Sequence, residues 1–376
     1  MSRLPHTGTS IFSIMSLMAN EHKAINLSQG FPDFEIDPQL AEITARIARG
    51  NLHQYMPSSG YQPLLDKISG MVNHTYQRKT NASTEILITA GGTQALFNTI
   101  MALVNAGEEI IILDPAYDSY GPAALLSGAK PVRIALNDDY SPDWNAIADA
   151  INGKTKMLII NNPHNPTGKT WNNEDFLQLE LLLDLHPKIL LLSDEVYEHI
   201  TFEECHISVL TREKLKDRSI TISSFGKSFH ITGWKVGYAI APKYLMKEIK
   251  KAHQFVVFSV NSIAQAAISE YMDVVDISEL GKFYQQKRDF FRNLMSNTKF
   301  ELLPCEGSYF QIASYANISN ESDIHFTKRL VSEYGVAAIP VSAFYDDGKD
   351  LKRIRFCFAK KEETLIRAVE RLLKLK

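Results

Sequence analysis

The chain has 376 residues, 45% hydrophobic and 22% charged, enough for a large core and two domains and incompatible with a disordered polymer. Its 40 basic and 43 acidic side chains leave a net charge of −3, so no overall positive field favours nucleic acid or an anionic membrane. Cys205, Cys305 and Cys357 are odd in number and widely spaced, which predicts reduced thiols in a cytoplasmic protein and no metal site.

In chain order, the N-terminal "IFSIMSLM" is followed by Glu21 with no small-residue cleavage site, so it is not expected to act as a signal peptide. The apolar runs further on, such as "KILLLSD", are too short to cross a bilayer. From residue 83 to 241, seven such runs alternate with helix-like segments: "EILITAGG", "EEIIILDP", "KPVRIAL", "KMLIINNP", "KILLLSDE", "RSITISSF" and "KVGYAIAP". Continuous rather than alternating apolar character predicts strands buried on both faces, and the intervals leave room for crossover helices of a mostly parallel sheet. Beyond residue 245 three helical segments, "PKYLMKEIKKAHQF", "SIAQAAISEYM" and "KFYQQKRDFFRNLM", precede the strand-like "SYFQIASY", "VAAIPVSAF" and "KRIRFCFA" and a closing helix "KEETLIRAVERLLKLK". The expected architecture is a three-layer α/β/α domain over 36–270 and a smaller α+β domain from 1–35 and 271–376, the first 35 residues packing on it or in the groove between the two.

Ligands of open parallel sheets bind beyond the carboxyl ends of the strands, so the clusters that follow the apolar runs carry the chemistry. These clusters are "AGGTQA", "DPAYDSY", "NNPHNPTG", "SDEVY" and "SSFGK". The Gly-Gly-Thr turn between strand and helix offers free backbone N–H groups to a phosphate, although Gly-Gly also simply makes turns. The asparagines of "NNPHNPTG" cap a turn or place neutral donors near a phenolate oxygen. Asp194 reads either as a helix N-cap or as a carboxylate that keeps a heteroaromatic nitrogen protonated, with the Tyr197 hydroxyl three residues on. Lys227 is a surface charge whose stem snorkels, or a desolvated amine beside Lys235, with a depressed pKa and able to form a Schiff base. In series on one sheet edge, these features describe a site for a phosphorylated heteroaromatic aldehyde.

With "LSQGFPDF", "DPAYDSY", "SDEVYEH", "SSFGKSFHITGWKVGY" and "LPCEGSYF", the chain resembles the fold-type I aminotransferases that use pyridoxal 5′-phosphate, along nearly its whole length. Within them it is most similar to the branch of bacterial methionine and kynurenine/glutamine transaminases. The resemblance implies that Lys227 carries the cofactor as an internal aldimine and that Asp194 partners its ring nitrogen. Tyr197 and Asn165 would bind the ring oxygen, and Tyr117 would stack on the ring. Gly92, Thr93, Ser224 and Lys235 would form the phosphate shell. Lys235 stands where many relatives have arginine, exchanging a bidentate fork for a point charge. Tyr55 matches a tyrosine that reaches the phosphate of a neighbouring subunit, implying a homodimer with a shared site. Arg355 would clamp the substrate carboxylate, with Gly30 letting backbone approach it, while Arg353 points to the opposite face.

The implied reaction is a ping-pong transamination between an amino acid and a 2-oxo acid. Phe12 and Phe258 fall where this branch lines its substrate pocket, the latter from the partner subunit, although either suits a core. Apolar walls and the lack of a second matching arginine favour methionine, aromatic, kynurenine or glutamine-like donors over aspartate. A carbon–sulfur β-lyase of cysteine-conjugate or cystathionine type is the nearest alternative. A regulator fused to a DNA-binding module is not expected, because the chain is slightly acidic and only ~25 residues precede "INLSQGFPDF".

Overall fold

Each of the seven apolar runs forms a strand of one sheet: β1 (Ile86–Thr89), β2 (Glu109–Asp114), β3 (Lys130–Ala135), β4 (Thr155–Asn161), β5 (Leu190–Asp194), β6 (Ser219–Ser224) and β7 (Gly237–Ile240). The computed structural model describes residues 2–5 and 7–375. The spatial order is β1-β7-β6-β5-β4-β2-β3. Neighbours run parallel except at β7, which is antiparallel to both β1 and β6. The carboxyl ends of the other six strands therefore share one edge, which β7 meets with its first residue, Gly237.

Continuous apolar character follows from helices on both faces. Along β4, Met157 and Ile159 pack with the helix Gly92–Leu103, whereas Leu158 and Ile160 pack with the helix Asn173–Leu185. The edge strand β3 is only half-buried and carries Pro131 and Arg133, which a strand paired on one side tolerates. Helices Pro38–Ala48, Gln62–Tyr76 and Ser262–Tyr271 cover the β1–β7 end, where Leu40, Leu64, Ile68 and Ala267 meet Ile86, Ile88 and Ile240.

A second sheet, order β10-β11-β9-β8, is antiparallel and built from β8 (Glu301–Leu302), β9 (Phe310–Ser314), β10 (Ile339–Pro340) and β11 (Arg353–Cys357). Its core takes Tyr284, Phe291 and Met295 from the helix Leu280–Met295 and Leu365, Ala368 and Leu372 from the closing helix Glu362–Leu372. The run "VAAIPVSAF", expected as one strand, instead makes two two-residue strands, Val336–Ala337 and Ile339–Pro340, and a 3-10 turn, Val341–Phe344. Pro340 has no N–H to extend the ladder, so pairing ends there. The helix Asp323–Tyr334 was not anticipated. Ser322 caps it by accepting from the His325 N–H, and Gly335 ends it at φ 66°.

The N-terminal segment takes both expected positions. Met15 and Ala19 of the helix Ile11–Glu21 pack on Val331, Ile339 and Phe344, and Ile25–Asn26 pairs in parallel with Val336–Ala337. Residues 28–34 then cross to the carboxyl edge of the large sheet, where Gly30 meets Lys227. Among the described residues, no helix is long and apolar enough to cross a membrane.

One backbone approach sets the geometry of that edge. A Cβ on Gly237 would lie 2.7 Å from the Ser223 carbonyl oxygen and 3.1 Å from Gly92 N, so only glycine lets β7 pass the Gly91–Gly92 turn. Gly237→Ala is expected to cost about 1–3 kcal/mol in denaturant unfolding and to push the turn away from β6.

Candidate active site

The strand ends and the 28–31 loop enclose a cavity of about 310 Å³. Its walls include Phe12, Gly30, Gly92, Thr93, Tyr117, Asn165, Asp194, Tyr197, Ser224, Lys227, Lys235 and Arg355, every sequence-predicted site residue except Tyr55 and Phe258. Those two lie on the surface outside it, 81% and 49% exposed, with their rings edge-to-face at 5.1 Å.

One end of the cavity suits an anion. The twelve-residue helix Gly92–Leu103 begins at Gly91, which has φ 81° and no capping side chain, so its first N–H groups face the cavity. A Cβ on Gly91 would lie 3.3 Å from Lys235 Nζ, placing that ammonium against the turn. The Ser224 and Thr93 side chains line the same end, and Thr93 Oγ1 lies 3.2 Å from Tyr117 OH.

At the floor, Asp194 is 3% exposed. Register places it beside Asn161 of β4, whose side-chain amide donates to the Asp194 backbone oxygen at 2.8 Å. Its carboxylate accepts from Tyr120 OH at 2.7 Å and from Val196 N at 3.3 Å. Burial raises its pKa to about 6, opposed by the Tyr120 hydrogen bond and by Lys227. A protonated heteroaromatic nitrogen would supply the positive charge this carboxylate lacks. Residues 195–199 form a turn, not a helix, so the N-cap reading does not apply. The turn is pinned by buried glutamates: Glu195 accepts from His206 and Ser193, and Glu198 from Tyr76, Ser223 and Tyr238. It thereby presents Tyr197, whose ring centroid lies 5.5 Å from Lys227 Nζ.

Lys227 lies on the short helix Phe225–Ser228 directly after β6, and its Nζ donates to Tyr309 OH at 2.8 Å and to the Gly30 carbonyl at 3.2 Å. Its pKa is lowered to about 8, mainly by burial with help from Arg355 and Lys235, while Cys357 and Asp194 oppose the fall. The anticipated cationic neighbour thus contributes, but desolvation leads and Arg355 ranks ahead of Lys235. A buried lysine close to neutrality is a competent nucleophile toward an aldehyde.

Arg355, 1% exposed, leaves β11 on the cavity face. It donates to Asn165 Oδ1 at 2.7 Å and to the Ser28 carbonyl at 3.0 Å, and its Nε has no partner. Its guanidinium stacks on Phe310 at 3.8 Å, with Phe12 and Phe344 at 5.2 and 5.1 Å. Among the described residues no carboxylate pairs with it, and burial lowers its pKa to about 10. A buried cation with a free donor is matched by an incoming carboxylate. Arg353 leaves by the other face, over the Tyr140 ring. Gly30 packs against Phe310, where a Cβ would come within 2.8 Å of that ring.

Three further residues had not been singled out. Tyr309 stands inside "LPCEGSYF" and Tyr120 three residues after Tyr117, both in quoted motifs but without an assigned partner. The Gln29 amide holds the helix Ile11–Glu21 against the cavity by donating to the Phe12 carbonyl and Ser16 Oγ.

The anion cradle, the buried carboxylate and the near-neutral lysine together fit pyridoxal 5′-phosphate. In comparison with known proteins, the model of aminotransferase classes I and II matches residues 22–372. The chain is 44% identical to the methionine aminotransferase of Escherichia coli (strain K12), covering 100% of this chain and 98% of that protein. It is 34% identical to a kynurenine–oxoglutarate transaminase of Dictyostelium discoideum, covering 98% and 94%. The crystal structure of an E. coli methionine aminotransferase superposes with a TM-score of 0.97 at 44% identity, covering 100% and 99%. That of N-succinyldiaminopimelate aminotransferase from Mycobacterium tuberculosis gives 0.96 at 31% identity, covering all of both chains.

The raised pKa of Asp194 carries a sign. Its contribution to cofactor-free stability is fully present below the ordinary carboxyl value of 3.8 and is lost as pH rises through about 6. Asp194→Asn should therefore stabilise the cofactor-free protein at pH 7.5 by about 1–3 kcal/mol and flatten its stability profile between those values, as read by denaturant melts.

Proposed function

The chain belongs to the class I and II aminotransferases and is a pyridoxal 5′-phosphate-dependent transaminase, and on that premise we propose that it prefers methionine and aromatic or kynurenine-like amino donors. The single observation that carries this reading is the chemistry around Arg355: one buried cation for the α-carboxylate, enclosed by Phe12, Phe310 and Phe344. Arg355 is the one arginine among the cavity walls, so a second carboxylate finds no bidentate partner there. The names of two similar proteins, methionine aminotransferase and kynurenine–oxoglutarate transaminase, agree with this preference.

The residues divide the work as follows. Gly92, Thr93, Ser224 and Lys235 would hold the phosphate, Tyr117 would cover the ring, and Tyr197 with Asn165 would bind its oxygen. Asp194 would keep the ring nitrogen protonated, and Lys227 would hold the cofactor covalently. When bound, pyridoxal 5′-phosphate supplies the aldehyde and the conjugated ring that takes up the electron pair of the substrate's Cα–H bond. Arg355 and Gly30 orient the amino acid by its carboxylate. Released Lys227 then takes the α-proton on Nζ and returns it to the other side of the transfer, work suited to an amine with a pKa of about 8. The amino group would thereby pass from the donor amino acid, released as its 2-oxo acid, to a second 2-oxo acid, which leaves as an amino acid.

The 36–270 unit holds the cofactor and the remainder forms the smaller domain, a division supported by separate apolar cores on the two sheets. Tyr55 and Phe258 are proposed to reach the site of a second copy, making the protein a homodimer. The exposed Phe255 and Val256 beside them support an apolar interface.

Lys227→Ala should reduce turnover by at least three orders of magnitude, and Arg355→Ala should raise KM far more than it changes kcat. A matrix of donors and oxo acids tests specificity, with methionine or an aromatic amino acid expected to lead. Aspartate as the best donor would overturn the proposal, and sedimentation as a monomer would remove the homodimer.

A further inference from the structure

Of the two partners of the Lys227 amine, Gly30 lies on the substrate-holding loop, whereas Tyr309 has no contact assigned to cofactor or substrate. Tyr309 is fully buried and precedes β9 on the smaller sheet. Its hydroxyl accepts from Lys227 Nζ at 2.8 Å and donates to the Gly30 carbonyl at 2.6 Å, the same carbonyl that Lys227 reaches at 3.2 Å. These three groups form a closed triangle, in which the ammonium uses two of its three donors and the hydroxyl uses both its proton and a lone pair. The Tyr309 ring is fixed by Tyr197, Phe310 and Tyr284, with centroids 5.3, 4.9 and 5.6 Å away.

We propose that Tyr309 is a positioning residue, whose hydroxyl and the Gly30 carbonyl form a cradle that receives the Lys227 amine whenever it is not bonded to the cofactor. The inference rests on the assignment of Lys227 as the cofactor lysine. A lysine must leave its covalent partner and still serve the α-carbon, yet its stem has four rotatable carbons and many places to go. The cradle confines it to the side of the cavity where Gly30 and Arg355 receive the substrate carboxylate. It couples the proton carrier to the substrate-holding loop through one hydroxyl.

The cradle also favours the charged amine, since a hydroxyl that accepts from an ammonium stabilises it. The other groups facing the amine are Asp194 from β5, Arg355 and Cys357 from β11, Lys235 after the 3-10 turn Thr232–Trp234, and Tyr197 from the 195–199 turn. Of these, Tyr197 is itself hydrogen-bonded to the Tyr309 side chain.

The test measures labelling of Lys227 in cofactor-free protein by a small acylating reagent, as a function of pH, with peptide mass spectrometry. In Tyr309→Phe the labelling midpoint should fall by about one pH unit, making labelling near pH 7.5 about threefold faster than in the wild type. Tyr284→Phe removes a buried hydroxyl without a partner from the same aromatic cluster and should leave the midpoint unchanged. If Tyr309→Phe does not fold, 3-fluorotyrosine at position 309 keeps the shape, weakens the acceptor and should move the midpoint down by a smaller amount. An unchanged midpoint in folded Tyr309→Phe, or an equal fall in Tyr284→Phe, overturns the proposal. Borohydride reduction of the loaded enzyme separates the two readings. Cofactor trapped on a residue other than Lys227 removes the lysine assignment itself, whereas cofactor on Lys227 with an unmoved midpoint removes the cradle alone.

Discussion

Taking Lys227, Asp194 and Arg355 out of water within one cavity is the constraint that the surrounding structure exists to satisfy. An isolated buried charge is costly, and each of these three is moved by burial toward its neutral form. The protein offsets the cost with neutral dipoles rather than counter-ions. Tyr120 and the Val196 N–H serve Asp194, Tyr309 and the Gly30 carbonyl serve Lys227, and Asn165 and the Ser28 carbonyl serve Arg355. Dipoles hold a charge in place without neutralising it, so the site keeps an affinity for a ligand that carries the complementary charges. A phosphate, a ring nitrogen that takes a proton and a substrate carboxylate are such complements. Binding them stabilises the folded state by mass action.

A second layer keeps the first in register. Glu195 and Glu198 are both buried and lie on either side of Val196 and Tyr197, each accepting from several donors. Desolvation raises the Glu198 pKa, but His199, Ser223 and Tyr76 outweigh it, so the carboxylate stays ionised. Each of these carboxyl groups takes three hydrogen bonds inside the protein, where Asp194 takes two. Charges that serve the architecture are paired internally, and those that serve the chemistry are left with a lone pair or a proton to spare.

Much of this was legible in the chain. Seven runs, most of them without alternation, implied a sheet covered on both faces, and all seven are strands of one sheet. Parallel order brought their carboxyl ends to one edge, so clusters scattered from Gly92 to Lys235 converge on one cavity. The less legible parts share a physical character. "VAAIPVSAF" is apolar because it is buried, and burial alone does not distinguish a strand from a 3-10 turn. The helix Asp323–Tyr334 buries Asp323 and the stripe Phe326, Thr327, Leu330 and Val331, a weak period among charged residues. Tyr55 and Phe258 lie outside the cavity of the single chain, and the roles proposed for them require a second copy.

By itself the sequence determined that the polar clusters would share one edge, because a mostly parallel sheet brings the carboxyl ends of its strands together. It also carried the chemical type of the ligand, since a phosphate turn, a buried acid and a lysine in series admit few guests. Tertiary structure alone decided how each charge is held. Tyr120 donates to Asp194 from 74 residues away, and Tyr309 receives Lys227 from 82. Such partners are chosen by packing, of a helix on the large sheet for Tyr120 and of one sheet unit on the other for Tyr309, where a hydroxyl displaced by one or two ångströms has no hydrogen bond at all. No local pattern encodes that distance, so the chain showed which polar clusters share the edge but not the partners that hold each charge.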